Sequence, residues 1–144
     1  MTLNDKLIEI QTKFKSKKSR FNSFGKYNFR SAEDILEATK PFLKELGVSV
    51  TINEELISPS DKPVIKTTAL LSDGKGQITA QAIVGVDLNQ KGMQVPQQYG
   101  SASSYGKKYA LGNMFLIDDT AGKVSAIKAK YALSQEIEGA LNTL

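Results

Sequence analysis

The sequence predicts an α+β fold, a three-stranded antiparallel β-meander packed with helices. Three observations carry that expectation. Residues 48–88 hold three strand-like runs separated by turn residues, the first and third alternating with period 2 and the second rich in β-branched residues. The segments on either side repeat apolar residues at helical spacing. The chain has 144 residues, of which 40% are hydrophobic, enough for one core, and is read as a single domain over 1–144.

The elements follow in order. Leu3, Leu7, Ile10 and Phe14 predict a short amphipathic helix. Residues 13–30 show no clear period and are expected to be irregular or partly extended. Ser31-Ala32-Glu33-Asp34 is a capping-box pattern that opens a second helix, with Ile35, Leu36, Phe42, Leu43 and Leu46 inward. Pro41 is a candidate kink, and Gly47 is a natural stop. Strands are predicted over 48–57, 63–72 and 76–88. The stretch "SDGKG" makes a tight turn between the last two, and "SPSD" a looser one between the first two. Pro96 suits the first position of a helix over 96–111. "MFLI" reads as a short extended piece and "DDTAG" as a loop. A last helix is predicted over 123–142.

Composition excludes several chemistries. With neither Cys nor His there is no disulfide framework, no thiolate metal site and no Ser/His or Cys/His nucleophile. No apolar run approaches the length of a membrane span, and no signal-peptide core is visible. The expectation is a cytoplasmic protein that is not an enzyme, with no membrane partner, no cofactor and no metal. Asp118 and Asp119, even with Asp87, offer no identifiable third ligand and read as a solvated loop.

Charge is concentrated. Residues 13–30 hold Lys13, Lys15, Lys17, Lys18, Arg20, Lys26 and Arg30 and no acid. The remaining 12 bases and 15 acids leave the rest of the chain at −3. The same arm holds Phe14, Phe21, Phe24, Tyr27 and Phe29, five of the eleven aromatic residues. Cations interleaved with rings suit a single-stranded nucleic acid, with phosphates on the charges and unstacked bases on the rings. Three core aromatics and a solubilising run of lysines would account for the same residues.

"QQYGSASSYGKKYALG" (97–112) resembles a phosphate loop, but the spacing fails. Five residues separate Gly100 from Gly106, and Lys108 stands where a hydroxyl should hold Mg²⁺, so no ATP dependence is expected. As a helix it works. Gln97, Ser101, Ser104 and Lys108 share a stripe flanked by Gly100 and Lys107, opposite Tyr99, Ala102, Gly106, Tyr109 and Ala110. Tyr109 is therefore assigned to the core. The small, polar and basic side can follow a sugar-phosphate backbone without reading bases. It can equally be a solvated face.

Three stretches together, "GKYNFRSAEDILEATKPFLKELGVSV" (25–50), "TTALLSDGKGQITAQA" (67–82) and "QQYGSASSYGKKYALGNMFLIDD" (97–119), resemble the Erf, or essential recombination function, family of bacteriophages. The resemblance implies a β-β-β-α annealing-protein core. It also implies ATP-independent single-stranded DNA binding and annealing in phage homologous recombination. The implied partners are single-stranded DNA, the annealed duplex and further copies in a ring or filament. By position it would put Lys107, Lys108 and Tyr105 on the groove helix, and Arg20, Lys26, Tyr27 and Arg30 on the arm. An Arg is expected at one of the paired basic positions, where this chain has Lys at both. Relatives continue into a tail that contacts a single-strand binding protein, and the sequence stops after the last helix, which leaves that partner open. A non-annealing nucleic-acid module, or a domain whose arm binds an acidic protein, remains the alternative.

Overall fold

The computed structural model describes residues 1–16, 18, 20–58, 62–89 and 92–117. The expected helix over 123–142, Lys17, Asp118 and Asp119 lie outside the described residues, as does the Tyr27 side chain. Two compact units emerge, one of residues 1–15 and 31–117, the other of 16–30 and 118–144.

The first unit is built from α1 (Leu3–Lys13), α2 (Ala32–Leu46), β3 (Ser49–Ile57), β4 (Val64–Ser72), β5 (Gln77–Gly85) and α3 (Val95–Phe115). The second contributes β1 (Arg20–Asn22) and β2 (Tyr27–Phe29). Both leading helices start on reciprocal caps. Asp5 N–H donates to Thr2 Oγ1, and Thr2 N–H to the Asp5 carboxylate. Ser31 and Asp34 repeat the exchange at 3.2 and 2.8 Å. α2 runs through Pro41 and stops at Gly47, whose φ of 65° lies in the left-handed region that glycine enters without steric cost.

The meander has order β3-β4-β5, antiparallel throughout. Its turn is tied by Asp73, whose carboxylate accepts from the N–H groups of Lys75 and Gly76 at 2.9 and 2.8 Å. Val50, Ile52 and Leu56 face Leu71, Ala69 and Ile65, which face Ile78, Ala80 and Val84 in turn. That side carries the core, because β4 buries Ile65, Thr67, Ala69 and Leu71 completely or nearly so. Ile10, Ile35, Leu111, Met114 and Phe115 close over it from the helices, with Phe14 stacked between Phe42 and Phe115. The other side of the sheet carries Thr51, Asn53, Thr68, Thr79 and Gln81 and has no buried residue.

One expectation needs correction here. "MFLI" is not extended, because Met114 and Phe115 complete α3 and the helix ends at Leu116 in a left-handed cap. The arm is partly extended, as one of the two expectations for it had it: Arg20, Phe21 and Asn22 pair with Phe29, Asn28 and Tyr27 as a small hairpin. A short apolar run suits a strand or a buried helix end equally, and only packing decides.

Candidate nucleic-acid interface

α3 seats on the sheet through one row of residues spaced four apart: Gln98, Ala102, Gly106, Ala110 and Met114, all buried. Such a row is a ridge inclined to the helix axis, so its neighbours are rows and not arcs of a wheel. Gly106 sets how closely the helix approaches. A β-carbon there would overlap the Thr67 hydroxyl oxygen and lie 3.2 Å from Thr67 Cβ. Thr67 is fully buried and its hydroxyl has no hydrogen-bond partner, so it faces the glycine directly.

Three further rows follow. The outermost is Gly100, Ser104, Lys108 and Gly112, with Gly100 and Ser104 exposed and Lys108 and Gly112 half-buried; of the expected stripe it holds Ser104 and Lys108, with Gly100 from its flank. One flank carries Ser103 and Lys107. Ser103 Oγ donates to Glu54 on β3 at 2.6 Å, and Lys107 Nζ lies 3.8 Å from the same carboxylate oxygen. The other flank carries Ser101, Tyr105, Tyr109 and Asn113. Tyr109 is 41% exposed and stacks on Tyr105, itself 48% exposed, so its assignment to the core does not hold. Asn113 donates to the Gln81 carbonyl of β5 at 2.8 Å.

The predicted residues therefore separate. Ser104 and Tyr105 are exposed, Ser101, Lys107 and Lys108 are half-buried, and Lys107 lies near Glu54. Gln97 is exposed, but its side-chain oxygen accepts from the Gln94 N–H at 2.9 Å and caps the helix. The sequence reading missed Glu54 and Ser103, which no motif marks. It also missed Gln98, whose amide nitrogen reaches the Leu88 and Met93 carbonyls and fastens the segment before α3.

The arm hairpin is a second basic element. Asn22 Oδ1 accepts from the N–H groups of Phe24 and Gly25, closing a turn in which Lys26 takes a φ of 55°, a left-handed conformation costly for a side chain. Phe24 is 98% exposed and Phe21 62%. Arg20 and Lys26 are exposed, and Tyr27 lies in β2 opposite Asn22. Arg30 differs. It is buried, and its Nε donates to the Ser16 carbonyl at 3.0 Å, so it braces the base of the hairpin. In the first unit, the Lys13 ammonium is held above its ordinary pKa by a hydrogen bond to Glu9, one turn earlier.

Comparison with known proteins decides the family. The model of the ERF superfamily matches residues 3–132. The chain belongs to the ERF superfamily. It is 44% identical over 114 residues to the Essential recombination function protein of Salmonella phage P22, an alignment covering 79% of this chain and 55% of that one. The chain thus spans about half the length of that curated relative. No solved structure matches.

Other features of this ERF chain do not suit an anion. A groove of about 240 Å³ between α2 and β3 is floored by Leu36, Leu43, Val50, Ile52 and Leu111, but Glu33 and Glu37 sit on its rim. Among the described residues no three carboxylates gather as a metal site would require, and no helix is long and apolar enough to cross a membrane.

Proposed function

We propose that this chain binds single-stranded DNA and anneals complementary strands without ATP, acting as an oligomer in phage homologous recombination in the host cytoplasm. The observation that carries the reading is the outer row of α3. Gly100, Ser104 and Gly112 let a sugar-phosphate backbone approach, and Lys108 supplies charge on a helix whose seating Gly106 holds close. The hairpin adds Arg20 and Lys26 with Phe21 and Phe24. Membership of the ERF superfamily and the recombination function named for the phage P22 relative support the same reading.

The mechanism needs no covalent step. Lysines hold one strand by its phosphates, leave base edges open, and a complementary strand pairs. Base pairing and stacking supply the free energy. Side-by-side copies extend the row into a longer track. Binding by phosphates makes affinity fall steeply with salt.

Annealing of two dye-labelled complementary oligonucleotides, without ATP or metal and beside a measurement of mass in solution, tests the reading. Faster pairing by a multimer is expected. A monomer that retains single strands but does not speed pairing would reduce the role to a binding module. A chain that retains no nucleic acid at low salt would favour an acidic protein as the arm's partner.

A further inference from the structure

We propose that Tyr105 and Tyr109 form a stacking platform for unpaired nucleobases, and that this platform makes the chain prefer a single strand to a duplex. The inference rests on the single-strand reading above and adds to it a site that recognises bases and not phosphates.

The two residues are one helical turn apart on the flank of α3 that turns away from Glu54. Their rings stack with centroids 5.9 Å apart and planes 27° apart, and close to half of each side chain is left in solvent. Lys108 Nζ lies 6.0 Å from the centroid of the Tyr105 ring, the outer limit of a cation–π contact. Phosphate-binding charge and ring surface are therefore neighbours on one helix, about the separation of a nucleotide's own two halves. The neighbouring buried row already seats the helix close to the sheet, since Gly106 has no room for a β-carbon against Thr67. Each ring also restrains the other, so little side-chain freedom remains to be lost when a base arrives.

Selectivity follows from which partners have a free π-face. An unpaired base can leave its neighbours and lie on tyrosine. A base inside a duplex has both faces covered and presents only edges and phosphates. The platform therefore adds to the affinity of the substrate strand and nothing to that of the product. Pairing would strip bases from the tyrosines as it proceeds.

The test uses the full chain and three probes of equal length: an unpaired oligonucleotide, an abasic strand and a duplex. Tyr105→Ala with Tyr109→Ala should weaken binding of the unpaired oligonucleotide roughly tenfold. Binding of the abasic strand and the duplex, and the salt slope, should stay as in wild type. Tyr105→Phe with Tyr109→Phe should retain wild-type affinity, because the rings remain. Lys108→Ala should weaken all three probes alike. Equal loss of the unpaired and abasic strands in the double alanine variant, or no loss, would overturn the platform while leaving phosphate binding intact. If wild type bound none of the probes at low salt, both this inference and the proposed function would fall together.

Discussion

The arm hairpin and helix α3 use the same ingredients, lysines or arginines beside aromatic rings, on backbones of different strength. The hairpin has two three-residue strands, one asparagine-closed turn and the Arg30 brace. α3 has 21 residues and a buried row along its length. The arm is richer in charge, while α3 is richer in fixed geometry. Charge density alone steers a polyanion, but a defined path along a strand requires side chains whose positions are held by packing. Under the proposed function, the arm would serve encounter and the helix placement.

The largest way to break that contrast is Gly106→Ala. The added methyl has no room against Thr67, so we expect destabilisation of about 1–3 kcal/mol in urea unfolding, as for other overpacked cores. Thr67→Ala in the same chain should recover part of it. Next is Arg30→Ala, which removes a buried donor from the Ser16 carbonyl. It should cost about 1–3 kcal/mol locally, read as lost hydrogen-exchange protection of the β1 and β2 amides. Lys26→Ala should leave that protection unchanged and reduce only DNA affinity. A finer contrast sets the two lysines of α3 against each other. Lys108→Ala should reduce the salt slope of single-strand binding by about 0.7. Lys107→Ala should reduce it by less than that full step, because Glu54 already offsets part of its charge. The smallest effect is acid titration. Backbone N–H donation from Thr2 to Asp5, and from Gly76 and Lys75 to Asp73, holds both carboxyls below the ordinary value of 3.8. Their ionised caps contribute fully above that value and are lost as pH falls through the lower folded values. Carboxyl-carbon NMR should place both midpoints below 3.8.

What could be read from the sequence was what neighbours in the chain decide. The Ser31–Asp34 cap, the Gly47 stop, the Asp73 turn and the strand over 63–72 are local, and the structure bears each out. Only Ser104 and Lys108 of the expected stripe fall in the outer row of α3, because Gln97 caps the helix and Ser101 lies on the tyrosine flank. Tyr109 was misplaced because a wheel averages the helix into two sides, whereas a tilted four-residue ridge seats it. Tyr109 lies one position from Ala110 and belongs to the next row. The Lys107–Glu54 pairing joins residues far apart in sequence, and Arg30 looked like every other cation in a basic run until its burial was known.

Lys26 carries a last consequence. A left-handed backbone costs a residue with a β-carbon about 1–2 kcal/mol, and glycine would relieve most of it. The hairpin tip thus holds a backbone conformation that a neighbouring φ/ψ region would relieve. A strand pulling on Phe24 or Lys26 would meet a turn that can reshape at low cost, so the tip would accommodate different backbone paths while α3 keeps its shape.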